Sequence, residues 1–337
     1  YRFNESYGYV ISITIYGYSV ILALTNARSH VFYKEVIRIH ENEPLERIVQ
    51  LVSGFIRKWQ EPGTANIAKD AKLLGIVVAA SGLVDSEHGT VITASRFHSW
   101  PTDAPIVDLL RSQVEFKAPF YIDNYNRYFA FAEKTLGCAK DKNNIIDVVV
   151  GPDGLGAGII ADGRIKRGPR YLTGEIGHML LDPSDTEACH CGGRGCFERL
   201  VSGERLLLKA REQRAGHEDS AIYTDEADSP TLQSIFDAAN GGDPWARELV
   251  DGVVKWFAIG IHNVNLVFNA EVVVISGLYR TAGAYFLSRL SEEIEKTSLL
   301  RMRKDLDIRY SSFDEEGPLR GGASYVLHDY FTRVYEY

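Results

Sequence analysis

The sequence has only four cysteines, and three of them, Cys189, Cys191 and Cys196, fall within eight residues of one another, while Cys138 stands alone. That distribution excludes a disulfide framework, whose bridges are spread along the chain to close loops. Long apolar runs are missing too. Stretches such as Val272 to Ile275 are far below the ~20 residues that span a bilayer, and no basic-then-apolar leader is visible, so the expectation is a cytoplasmic protein with no membrane partner. Positive charge is in deficit. Thirty-seven Lys and Arg against 45 Asp and Glu leave a formal charge of −8. A general surface of that sign repels phosphate backbones, which argues against DNA contact through these residues. Proline is scarce, eleven against thirty glycines, a balance that suits an α/β protein with tight turns and ligand loops. What is abundant is ordinary: 45% hydrophobic and 24% charged residues describe a globular chain and exclude a disordered or collagen-like one. At 337 residues the chain exceeds the ~100–200 of a usual single domain, so two domains are expected.

Pattern along the chain gives the elements. Val10 to Ile15, Ser19 to Leu24 and His30 to Ile37 are β-rich runs close enough to form an antiparallel meander. Leu45 to Trp59 carries apolar residues at helical spacing. Leu73 to Ala80 reads as a buried parallel strand. A helix over Ala104 to Val114, a strand at Phe120 to Ile122 and a helix from Arg127 to Leu136 follow. A second lobe is expected to begin near Tyr121, after a hinge at about residues 115–121. There Ile145 to Val150 is a strand and Gly151 to Gly158 a glycine-rich turn. Asp162-Gly163 marks a hairpin. Gly203 to Arg214 is helical, Gly216 to Pro230 a polar surface loop, and Asp243 to Phe268 a long amphipathic helix. Val272 to Ile275 is a strand, and a last helix runs from about Arg320 to Val334. The expected domains are therefore residues 1–120, with the C-terminal helix of about 320–337 packing back on them, and residues 121–319. The starts of the two lobes share a strand–turn–strand pattern.

Three thiols and an imidazole are a natural tetrahedral set for zinc. Cys189 and Cys191 are one residue apart, and Cys196 follows across Gly192-Gly193-Arg194-Gly195, glycines that let a chain curl round an ion. His178 and His190 are both candidates for the fourth place. Four protein ligands would close the site and make it structural. No Cys-x-x-Cys is present to argue for a redox pair.

Three segments together form a specific signature: Gly156-Ala-Gly-Ile-Ile-Ala-Asp-Gly163, Gly174-Glu-Ile-Gly-His178 and Cys189-His-Cys-Gly-Gly-Arg-Gly-Cys-Phe-Glu198. They closely resemble the ROK family (repressors, open reading frames and sugar kinases). The resemblance extends to Ser81-Gly-Leu-Val-Asp85, Trp100, Ala130-Phe-Ala-Glu133, Val274-Ile-Ser-Gly277 and Gly317-Pro-Leu-Arg-Gly-Gly-Ala323, nearly the whole chain. It implies an α/β, two-lobed, actin- and hexokinase-like (ribonuclease-H-like) fold with a sugar cleft between the lobes. It also implies a structural zinc on His178, Cys189, Cys191 and Cys196, and sugar contacts from Glu175, His178 and Glu198. Carboxylates suit that task because each accepts more than one hydroxyl hydrogen. Leu83, Ser95, Arg96 and Asn124 are expected to border the ligand.

The kinase pattern breaks at four places. A sugar kinase needs a carboxylate base for the sugar hydroxyl, which the family places in an Asn-Asp-x-Asn segment. Here the segment is Asp123-Asn124-Tyr125-Asn126, so the base position holds Asn124, and an amide is no base near neutral pH. Asp123 is expected to point elsewhere. The first phosphate loop, Asp-x-Gly-Gly-Thr in the family, is Thr14-Ile15-Tyr16-Gly17-Tyr18. The metal-orienting aspartate is gone, and Tyr16 stands for a glycine. The second, Gly-Thr-Gly, is Pro152-Asp153-Gly154, with a donor removed and a negative charge added. ATP is therefore not an expected cofactor. The resemblance then implies the regulator branch: a sugar-sensing domain, without kinase activity, whose operator DNA is contacted by an upstream helix-turn-helix. Residues 1–9 are too few to hold that element. A homo-oligomer is expected by analogy with the family. The alternatives are an active hexose or N-acetylhexosamine kinase, or a pseudokinase that binds a protein partner.

Overall fold

Every one of the first eight residues of Gly8–Tyr16 (β1) is buried, as a strand covered on both faces requires. The computed structural model, which describes residues 4–61, 67–94, 97, 99–152, 154–223, 229–297 and 306–335, places β1 in the middle of a five-stranded sheet. Ser19–Asn26 (β2) pairs antiparallel with β1 across the two-residue loop Gly17-Tyr18, and Val31–Arg38 (β3) continues the meander. β3 alternates half-buried and exposed residues and carries Lys34 and Arg38 outward, as an edge strand does.

Leu45–Trp59 (α1) buries Leu45, Ile48, Val49, Val52, Phe55, Ile56 and Trp59. That is the one-sided stripe its spacing predicts, and each such side chain contributes about 1.5–3 kcal/mol. Lys72–Ala80 (β4) lies parallel to β1. A two-stranded ribbon, Leu83–Asp85 (β5) and Thr90–Thr93 (β6), precedes Ile106–Gln113 (α2). Phe120–Asn124 (β7) completes the order β3-β2-β1-β4-β7, and Tyr125–Thr135 (α3) follows without a break.

The chain divides into two compact units. The N-terminal unit holds Tyr1–Lys140, Arg167–Leu172 and Glu315–Tyr337; the C-terminal unit holds Asp141–Lys166 and Thr173–Asp314. The sequence pattern starts the second lobe near residue 121, yet β7 is the last strand of the first sheet and carries α3 with it. The segment 115–121, expected to be a hinge, therefore lies wholly inside the N-terminal unit. Helix Gly317–Tyr335 packs on α3, β4 and β1 in that unit.

In the C-terminal unit, Ile145–Gly151 (β8) pairs antiparallel with Gly154–Ala161 (β9), and β9 with Arg164–Ile165 (β10). The glycine-rich segment 151–158 is therefore mostly strand. Only its first residues turn, and Gly156 and Gly158 sit in register opposite Val149 and Asp147. Phe197–Val201 (α4) and Gly203–Glu212 (α5) follow the cysteine cluster. Leu232–Gly241 (α6), with a Thr231–Ser234 capping box, gives no strong periodic signal and is an element that sequence reading misses.

Pro244–Phe268 (α7) starts as its sequence predicts. The Asp243 carboxylate accepts from the Ala246 N–H at 2.8 Å, and Pro occupies the first turn. Asp243 also holds Ser220 Oγ at 3.0 Å and the Ala221 N–H at 2.9 Å, and Ile222 is buried. The described part of the expected surface loop 216–230 is thus pinned to α7. Val272–Gly277 (β11), Gly283–Thr297 (α8) and Asp307–Tyr310 (β12) complete a second sheet of order β10-β9-β8-β11-β12. No helix of the described residues is long and apolar enough to cross a membrane.

Candidate functional site

The peptide around the cysteines is a tight knuckle. The Cys189 N–H donates to the Gly193 carbonyl at 2.8 Å and the Gly192 N–H to Cys189 at 2.9 Å. Gly195 has φ 64°, and a Cβ there would fall 1.7 Å from the Asp182 carbonyl oxygen, so only glycine fits. This curl brings the Sγ atoms of Cys189, Cys191 and Cys196 and a ring nitrogen of His178 within 4.8 Å of one another. Cys191 and Cys196 sulfurs are 3.7 Å apart, and His178 Nδ1 is 3.8 Å from Cys189 Sγ. Sulfurs bonded to each other would lie at about 2.05 Å. The edge of a tetrahedron around zinc with Zn–S of about 2.3 Å is about 3.8 Å. Donor set and spacing therefore fit a four-coordinate ion. Burial pushes the Cys189 thiol up to about 12 and raises Cys196 as well. Three thiolates side by side need a dication to hold them.

Glu198 sits in the first turn of α4, 7% exposed. The Leu155 N–H donates to its Oε2 at 2.9 Å, and His190 Nδ1 lies 3.0 Å from Oε1. Burial alone would raise its pKa. The His190 imidazole and the Leu155 amide more than offset that, so the carboxyl titrates below the ordinary glutamate value. His190, one of the two candidate histidines, thus faces the glutamate rather than completing the Cys3His set, although His178, His190 and Glu198 form a second group of close donor atoms. Gly154, at φ 142°, passes so near that a Cβ would lie 2.2 Å from Glu198 Oε2. Glu175 is half-buried just before the 3-10 turn Ile176–His178, with the His178 N–H donating to its carbonyl at 3.3 Å. Glu175 is the N-cap of that turn and His178 its last residue.

In the N-terminal unit, Asp123 and Asn124 end β7. Asp123 is fully buried. Its Oδ1 accepts from Arg127 at 2.7 Å and from the Asn124 N–H at 2.8 Å, and its Oδ2 accepts from Arg167 Nε at 2.7 Å. Removing one partner of such a buried pair costs about 3–5 kcal/mol. Asn124 caps α3: its Oδ1 accepts from the Asn126 N–H at 2.8 Å, and its Nδ2 donates to the Gly82 carbonyl at 2.7 Å. One N–H of that amide is left beyond these bonds. The i,i+4 spacing of Asp123 and Arg127 is visible in the sequence as a helix-type pair. The 44-residue reach to Arg167 carries no such signal.

The β1–β2 loop has a distinct chemistry. The Tyr16 ring stacks on Tyr125 at 3.9 Å between centroids and 15° between planes. An aromatic pair stands at the strand end beside the Gly17-Tyr18 loop. Of the remaining expected contacts, Leu83 is half-buried in β5. Ser95, Arg96 and Asp153 lie outside the described residues.

The ROK family pattern matches residues 10–329. A xylose repressor of Caldicellulosiruptor bescii is 30% identical over 330 residues, 97% of this chain and 80% of that protein. A glucokinase of Halalkalibacterium halodurans is 29% identical over 252 residues, 74% of this chain and 75% of its own. Among solved structures, a ROK family transcriptional regulator described as a homolog of the E. coli MLC protein superposes with TM-score 0.84 at 25% identity, covering 98% of this chain and 81% of that one. The relatives thus include both repressors and kinases, the fold is shared with both, and the chain belongs to the ROK family.

Proposed function

We propose that this chain is the sugar-sensing part of a ROK-type transcriptional regulator and does not transfer phosphoryl groups. The observation that carries the reading is the pair Asp123–Asn124. The base position holds an amide already engaged in capping α3. The adjacent carboxylate, the obvious substitute, is buried between Arg127 and Arg167, with both of its oxygens already engaged. The Tyr16–Tyr125 stack supports the same conclusion, because a phosphate loop works through exposed backbone N–H groups.

Glu175, His178 and Glu198 keep the sugar-binding set. In this reading they accept from sugar hydroxyls, with Asn124, Ser95, Arg96 and Leu83 as further contacts. His178 gives Nδ1 to zinc and leaves its other nitrogen for a hydroxyl. Zinc, held by His178, Cys189, Cys191 and Cys196, is structural here and fixes the ring. Operator DNA is contacted through an upstream helix-turn-helix, as befits a domain with charge −8.

The test combines turnover and binding on the purified chain. With ATP and magnesium, D-glucose, D-xylose and N-acetyl-D-glucosamine should each give no ADP release above background. At least one of them should raise the melting temperature. Robust phosphorylation of any of the three overturns the reading. Failure of every sugar in a broader panel to stabilise the chain removes its main support and moves a protein-binding role ahead.

A further inference from the structure

One segment from the middle of the C-terminal unit's sequence belongs to the N-terminal unit. Arg167–Leu172 is part of the N-terminal unit, while Lys166 before it and Thr173 after it are part of the other. Both ends of this excursion are tied to β9. The Lys166 N–H donates to the Ile159 carbonyl at 2.9 Å, and the Ala157 N–H donates to the Gly174 carbonyl at 2.7 Å. The excursion is a short loop closed at its base on one strand. Its return leads directly into Glu175-Ile-Gly-His178.

Two hydrogen bonds hold the tip. Arg167 Nε donates to Asp123 at 2.7 Å, and Arg127 donates to the Tyr171 carbonyl. Tyr171 has φ 59°, a region that a bulky residue occupies only where its surroundings over-determine it. Burying Asp123 and Arg127 at 0% and 1% exposure is no efficient route to stability, since apolar residues of like volume would serve as well or better. A fixed geometry for the loop is what the arrangement gains.

We infer that Asp123 and Arg167 are positioning residues, which anchor loop 167–172 so that Glu175 and His178 are presented to a sugar. The inference rests on the sugar-binding reading above. It also has a reciprocal consequence. If the anchoring favours sugar binding, sugar binding strengthens the anchoring by the same factor, and the sugar signal enters the N-terminal unit along this loop.

The experiment uses the full chain, with D-xylose, D-glucose and N-acetyl-D-glucosamine as probes in calorimetry and hydrogen exchange as a second readout. Arg167→Lys keeps the charge but not the Nε–H that reaches Asp123. It should weaken the tightest-binding probe by about 3- to 10-fold and speed exchange in 167–178, with exchange in β8 and metal content unchanged. Arg167→Met and Asp123→Asn should each weaken it by about 10-fold or more, and the double variant should be no weaker than the worse single, as one shared attachment requires. Wild-type affinity in both Arg167→Lys and Arg167→Met, or unchanged exchange in 167–178, overturns the inference. If Asp123→Asn fails to fold, the other two variants decide it. If no probe binds the wild-type chain, the sugar reading fails by itself, and the exchange measurement still judges the loop.

Discussion

The two sheets share one strand order and one set of strand senses. β3-β2-β1-β4-β7 and β10-β9-β8-β11-β12 each pair an antiparallel meander with two parallel strands. Their first hairpins differ at the tips. In the N-terminal unit the tip carries Tyr16, whose ring lies on Tyr125. In the C-terminal unit the return strand opens on Gly154, whose bare backbone passes beside the Glu198 carboxylate while Leu155 donates to it. The comparison teaches that topology supplies a frame and that one side chain at the tip decides its use. A ring stacks where the first hairpin's strand ends. A glycine where the second hairpin's return strand begins lets a buried carboxylate be held at short range.

The largest effect should come from the support of the second hairpin. Glu198 follows Cys196 by two residues, so the Cys3His cluster sets its place. Elemental analysis should give about one zinc per chain. Cys196→Ser should reduce it below a tenth of that and unfold residues 174–198 locally, because metal binding energy is folding energy there. Hydrogen exchange should rise in that segment and stay unchanged in β1 to β4. Metal-replete wild-type protein with less than a tenth of one zinc per chain would sink the site.

Next in size is Gly154→Ala. The added Cβ would lie 2.2 Å from Glu198 Oε2 on a backbone at φ 142°. Steric displacement and the disfavoured conformation together should cost about 2–4 kcal/mol in denaturant unfolding and weaken any sugar that binds. A variant as stable as wild type with undiminished sugar binding would show that this close approach is incidental.

Much of this is legible in the sequence. The meander, α1 and α7 follow from periodicity alone, because each has a single apolar stripe or a continuous buried run. The clustering of Cys189, Cys191, Cys196 and His178 is legible because ligand chemistry constrains residue type and local spacing together. The glycine-rich segment 151–158 misleads, because glycine signals a turn by propensity, while here β9 is paired along its length with β8 and the pairing overrides it. α6 escapes because its buried Ile235, Phe236, Ala238 and Ala239 make a short stripe. The Asp123–Arg167 pair escapes for a different reason: contacts between distant residues follow from topology, which a single sequence does not print.

Glu175→Gln sharpens the comparison within the second unit. It removes a charged acceptor next to His178 without touching a metal ligand. Sugar affinity should fall by about 1–3 kcal/mol while zinc content stays constant. Calorimetry and elemental analysis on the same preparation check both. A fall in zinc would mean that Glu175 acts through the cluster, and unchanged affinity would remove it from the sugar face. In the protein carrying the DNA-binding segment, operator affinity measured at fixed salt should be unchanged and its response to sugar blunted.

The smallest expected effect tests the first hairpin. Tyr16→Ala removes one ring of a stacked, half-buried pair. Such pairs add about 0.5–1.5 kcal/mol beyond their buried area, so unfolding should become easier by about 1–2 kcal/mol. The informative readout is chemical. If the ring alone stands between this chain and phosphoryl transfer, its removal should release ADP in the presence of sugar, ATP and magnesium. None is expected, because Asn124 still caps α3 and Asp123 is still held by two arginines. Adding Asn124→Asp to Tyr16→Ala restores a carboxylate at the base position while keeping a residue that can cap a helix. Turnover in the double variant but not in either single would show that tip and base were both required. Turnover in Tyr16→Ala by itself would place the whole block at the hairpin and leave Asp123 and Asn124 with no share in it.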